Sequence, residues 1–116
     1  MKTLKLKNET IIPRRTSAPH PGDMLLSGYL KPMGITQKAF AEHIGVSPVV
    51  ISELCHRKRG ITAKLALSLA KALGTDPEFW THLQADYDYL EAKNKLERNG
   101  ELEKVEAISA LAVGSA

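Results

Sequence analysis

The stretch from Thr36 to Thr62 constrains this chain more than any other, because it spells out two short helices and the break between them. Phe40, Ala41 and Ile44 recur at helical spacing within Gln37–Ile44, and Val50, Ile51, Leu54 and Cys55 do so within Pro48–His56. Between them, Gly45 tolerates the positive φ of a helix C-terminus. Ser47 offers a side-chain oxygen to an early amide of the second helix, and Pro48 falls at the first helical position, where no N–H is needed. Ala41 is small where the two helices must cross. The pattern predicts a helix-turn-helix.

The second helix has two unlike faces. At about 100° per residue, Val50, Ile51, Leu54 and Cys55 gather on one side and suit a core. Val49, Ser52, Glu53 and His56 gather on the other, short and mixed, without the Glu–Lys pairing of a merely solvated face. Arg57-Lys58-Arg59 follow at the helix exit, where duplex phosphates would lie. Cations at a helix end also complement the macrodipole, so the run alone does not decide. With Ser47 and Gln37 at the two helix starts, DNA is the expected partner. Gln37, Ser47, Pro48, Val49, Ser52, Glu53, His56, Arg57, Lys58 and Arg59 form the candidate site.

The 116 residues allow one domain with a modest core. The net charge is only +3, but it is unevenly spread. Residues 1–20 hold five Lys/Arg against Glu9, residues 36–64 hold five against Glu42 and Glu53, and residues 76–116 hold four against nine acids. A basic front and middle with an acidic back point to one anionic partner and a separate second surface. Charge alone does not separate nucleic acid from membrane. No apolar run approaches the ~20 residues of a bilayer span, and no apolar stretch follows Lys2, Lys5 and Lys7 as in a secretory signal. The single Cys excludes an internal disulfide and suits a reducing cytoplasm.

Three segments flank the central motif. Residues 1–19 read as a flexible basic N-terminal arm with at most a short strand near Thr3–Lys7. Residues 20–98 read as the folded unit. His20-Pro21-Gly22-Asp23 opens a helix carrying Met24, Leu25, Gly28, Tyr29 and Leu30, closed by Pro32 and Gly34. Thr62 caps a helix with Leu65, Ala66, Leu69, Ala70 and Leu73 on one stripe, ended by Gly74. Asp76-Pro77 then starts a fifth helix in which Trp80, Leu83, Tyr87 and Leu90 recur at steps of 3, 4 and 3. That spacing suits a paired-helix seam, so these four are expected at a dimer interface, with Phe79 and Ala85 facing the domain. One helix packed wholly on its own core has the same spacing. Residues 99–116 form a C-terminal tail with Leu102, Val105, Ile108 and Leu111 at every third position, a candidate short helix.

His20-Pro21-Gly22, the run from Gln37 to Gly60-Ile61-Thr62, and Gly74-Thr75-Asp76-Pro77-Glu78-Phe79-Trp80 with Leu83-Gln84 and Tyr87-Asp88 resemble HigA-type antitoxins. These belong to the Xre, lambda-repressor-like helix-turn-helix group and include virulence-associated protein I. The resemblance covers about residues 20–90. It implies an all-α, five-helix fold, a homodimer, a palindromic operator in the protein's own promoter, and a small HigB/RelE-like ribonuclease toxin as partner. Two departures stand out. Such proteins commonly have Asn-Gly where this chain has His56-Arg57, and Arg57 in a left-handed conformation carries a steric cost that glycine does not. Polar residues often replace Pro48 and Val49 in the wider group, so Val49 is expected to read a thymine methyl.

No catalytic site, cofactor or metal site is expected. Cys55 and His56 diverge by about 100° on their helix, and His43 and His82 have no zinc-motif spacing. His82 and Asp86, four apart, fit a solvated helix face better than a metal pair. Three functional readings remain. The chain is an autorepressing antitoxin, a stand-alone phage-type repressor without a toxin, or an interaction module that keeps the helix-turn-helix as scaffold.

Overall fold

The computed structural model describes residues 17–109 and Leu111. The expected strand near Thr3–Lys7 and most of the N-terminal arm lie outside these residues. Five helices organise the described part, with no strand among them. The first, α1, runs without a break through Pro21–Asp23, Met24–Leu30 and Lys31–Met33. Then come α2 (Gln37–Ile44), α3 (Pro48–Cys55), α4 (Ala63–Leu73) and α5 (Pro77–Arg98).

Short side chains set the starts and left-handed residues set the ends. Thr36 Oγ1, Ser47 Oγ and Thr62 Oγ1 accept from the amides of Ala39, Val49 and Leu65, which leaves fewer orphan donors at α2, α3 and α4. Gly45, at φ 77°, turns the chain between α2 and α3. Asp76 precedes α5 but makes no side-chain cap; Pro77 supplies the preset φ instead.

The middle of α1 departs from ordinary helical winding. Met24–Leu30 forms a wide i→i+5 turn, and the Lys31 N–H bonds Leu26 O. This explains which residues it buries. Leu25 and Leu30 are both fully buried although five residues apart, a spacing that would place them about 140° apart on an α-helix. The extra residue per turn brings them to one face.

The core joins all five helices: Leu25, Leu30, Phe40, Ala41, Ile51, Leu54, Leu65, Ala66, Leu69 and Trp80 are its centre. Trp80 has no solvent exposure. Its ring meets Tyr29 and Phe79 at 5.6 and 5.0 Å, and its indole N–H donates to Thr75 Oγ1 at 2.8 Å.

This takes Trp80 out of the expected dimer seam. Trp80 lies inside the domain and presents nothing to a partner. Leu83 packs on the same core, Tyr87 sets its ring against the edge of His20, and Leu90 is buried. Trp80 and Leu83 of the 3-4-3 stripe therefore cover the chain's own core, while Leu83 and Tyr87 stay half-exposed. Phe79 faces the domain as expected, whereas Ala85 is exposed. Beyond α5, Leu102–Lys104 makes one 3₁₀ turn, and Leu102, Val105, Ile108 and Leu111 are all exposed.

Candidate nucleic-acid interface

The two faces of α3 separate as the sequence indicates. Ile51, Leu54 and Cys55 are buried and Val50 is packed against them. Pro48, Val49 and His56 are exposed, and Ser52 and Glu53 are half-exposed on the opposite side. Val49 is 58% exposed. The His56 Nδ1–H donates to Ser52 O at 2.7 Å, which fixes the ring and leaves Nε2 outward. Gln37 lies half-buried at the first turn of α2.

The three cations after α3 are not equivalent. Arg59 donates from Nε and Nη2 to Glu53 Oε1 at 3.1 and 2.8 Å. Arg57 donates from Nε to Asp23 Oδ1 at 3.2 Å and pairs through Nη2 with Asp23 Oδ2 at 2.8 Å. The hydrogen bond and charge of Asp23 push the Arg57 guanidinium further up from its already high range. Of the three cations, Lys58 has no ion pair among the described residues, Arg59 is coupled to the reading helix, and Arg57 turns back toward α1. Glu53, expected to face base edges, has one oxygen committed to Arg59.

Arg57 adopts φ 62°, the one positive φ outside glycine among the described residues. It closes α3 as a glycine would. Arg57 N–H donates to Leu54 O at 3.1 Å and Lys58 N–H to Glu53 O at 2.8 Å, the paired bonds of a Schellman end.

Two neighbours fasten this loop, and sequence reasoning gave a role to neither. Gln84 on α5 accepts the Ile61 N–H through Oε1 at 2.6 Å and donates to Asp88 Oδ1 at 2.8 Å. Asp23 holds Arg57 from 34 residues away. Contacts of this kind have no period in the chain; the only signal for Gln84 was its place in the resemblance motif. His20 completes the junction. Its Nδ1 accepts the Gly22 N–H at 2.9 Å, so it must be unprotonated there. Burial lowers its pKa, opposed first by Asp23.

A helix-turn-helix family model matches residues 28–80. The chain is 45% identical over 69 residues to virulence-associated protein I of Dichelobacter nodosus, covering 60% of this chain and 64% of that relative's length. It is 40% identical over 83 residues to antitoxin HigA-1 of Vibrio cholerae serotype O1, covering 72% of this chain and 78% of the relative. The chain belongs to the HigA family. Its fold is similar to that of Pseudomonas aeruginosa antitoxin HigA, solved with the higBA promoter, at a TM-score of 0.72 and 28% identity over 78% of this chain and 97% of that one. HigA-type proteins are regulators and antitoxins rather than enzymes. Among the described residues no group of His, Cys, Asp and Glu could hold a metal, and no helix is long and apolar enough to cross a membrane.

Proposed function

We propose that this protein represses its own promoter by binding a palindromic operator as a two-fold dimer, and that it neutralises a HigB/RelE-like ribonuclease toxin in the cytoplasm. The observation that carries the DNA half is the outward face of α3, short and mixed in character, followed three residues beyond the helix by Lys58, which has no ion-pair partner among the described residues. Val49 offers an apolar contact to a thymine methyl, while Ser52, Glu53 and His56 reach base edges. Lys58 and Arg59 meet phosphates, assisted by Gln37 and Ser47 where α2 and α3 begin. One such helix covers only a few base pairs. Two copies set ~34 Å apart would enter successive major grooves. Their interface uses a surface other than Trp80. The promoter held by the Pseudomonas aeruginosa relative supports the DNA half of the reading, and the family's antitoxins support the toxin half.

A mobility shift with the chain's own promoter is the first test. Lys58→Ala is expected to weaken operator and scrambled duplexes alike and to lower the salt slope by about one. Glu53→Ala should instead change which sequence is preferred, by about 1–3 kcal/mol at the affected position. Equal sequence preference in both variants would refute the assignment. For the toxin half, the protein is co-expressed with the neighbouring open reading frame. Growth arrest by that product alone, relieved by this protein, is expected; no relief would leave a stand-alone repressor.

A further inference from the structure

The cation run after α3 reads as three phosphate ligands in a row, yet the first of them is already engaged. Arg57 occupies a left-handed backbone position that L-residues adopt at a steric cost. Its guanidinium forks onto both oxygens of Asp23, a residue of α1. The junction beneath is tight. A Cβ on Gly22 would lie 1.8 Å from Leu54 O, the same oxygen that accepts the Arg57 N–H. The start of α1, the last turn of α3 and the Arg57 peptide therefore meet at one point. Asp23 closes that point from outside.

We infer that Asp23 and Arg57 form a positioning clamp for the reading head, and that Arg57 is not a phosphate ligand. The clamp holds Arg57 in its left-handed state, so that Lys58 and Arg59 leave α3 in a fixed direction. It also ties one exposed cation to a carboxylate, so that its charge is offset where it stands on the surface. A free arginine there would bind any duplex backbone and raise affinity without regard to sequence. A glycine at this position would make the turn unaided; arginine makes it with a carboxylate from another helix. The clamp thus does two jobs, shaping the loop and suppressing sequence-independent attraction. As an inference about DNA it rests on the operator-binding reading, but the clamp itself has a readout without DNA.

The test uses the full chain carrying Asp23→Asn, Arg57→Ala, Arg57→Gly, Lys58→Ala, and Asp23→Asn combined with Arg57→Gly. Amide exchange at Arg57 and Lys58 is followed without DNA. Affinity for operator and scrambled duplexes is then measured across salt concentrations. Asp23→Asn should speed exchange of both amides, but should change nothing further once Arg57 is glycine. Arg57→Ala should leave the salt slope unchanged while Lys58→Ala lowers it. Asp23→Asn should raise the slope by about one and reduce operator preference about tenfold. Unaltered exchange in Asp23→Asn, or a slope lowered by Arg57→Ala as much as by Lys58→Ala, would overturn the clamp. A wild-type chain that binds no duplex would remove the operator reading, and the exchange data alone would then decide the clamp.

Discussion

Replacing Gly22 by Ala tests how closely α1 must approach the end of α3. The new Cβ would sit 1.8 Å from Leu54 O, 2.6 Å from Leu54 C and 3.0 Å from Cys55 Cα, all backbone atoms. Ordinary contact begins near 3.4 Å, so the two segments must part by about 1.6 Å. Little can yield. His20 caps the Gly22 amide, Pro21 and Leu25 are buried, and Asp23 is tied to Arg57. Overpacking of this kind costs about 3 kcal/mol, against roughly 0.5–1 kcal/mol regained by removing a helical glycine. The net loss of about 2 kcal/mol should lower Tm by roughly 8–16 °C in a domain this small. Two other glycines calibrate the measurement. At Gly60 the clash is with the end of the Gln84 side chain, at 2.8–2.9 Å, so Gly60→Ala costs mainly the Gln84 bond to Ile61, about 1 kcal/mol. At Gly28 the nearest atom is the flexible Met24 Sδ at 3.0 Å, and Gly28→Ala should be neutral or stabilising. Thermal melts followed by circular dichroism give the order Gly28, Gly60, Gly22. A Gly22→Ala protein that melts with the wild type would refute the close approach.

Three further outcomes follow from the core and its titrating groups. Trp80→Ala removes a fully buried ring and leaves Thr75 without its donor, so urea titration should show a loss of about 3–5 kcal/mol. Cys55 is buried and its thiol is pushed up by burial and then by Asp23, so a thiol reagent should label it no faster than the protein unfolds; labelling within the mixing time would place α3 in a different rotation. Burial lowers the His20 pKa below its ordinary 6.5, so the folded state resists a proton that the unfolded chain accepts. Stability should be full above pH 6.5 and fall as pH drops from there through the folded value, and His20→Asn should flatten that part of the urea-midpoint profile.

Much of α2, α3 and the turn between them was legible because their boundaries rest on local chemistry. Gly45, Ser47 and Pro48 act within four residues of one another, and the inward set of Ile51, Leu54 and Cys55 follows from helical period alone. The burial of Trp80 in the fifth helix is not legible in the same way. Period reports that Trp80, Leu83, Tyr87 and Leu90 share a face, but not whether the facing helix belongs to the same chain. Here α1 and α4 supply the cover. The site itself was half legible. The outward set of Val49 and His56 came from period; the pairing of Arg57 with Asp23 and of Ile61 with Gln84 crosses 34 and 23 residues and leaves no local trace. The positive φ of Arg57 was foreseeable only by comparison with relatives that place glycine there.

The wide turn of α1 can be regarded as a stored residue. Met24–Leu30 bonds one position further along than an α-helix does, which is how a helix absorbs a one-residue insertion without shifting what lies on either side. The flanking Pro21–Asp23 and Lys31–Met33 keep ordinary α winding. The segment therefore has slack in length although its buried ends are fixed. Removing Gly28, which is exposed, would let the remaining residues rewind as a plain α-helix, with Leu25 and Leu30 then four apart and still on one face. Chain length in this helix is a softer constraint than the identity of the residues at its N-terminus, where a single methyl group has no room.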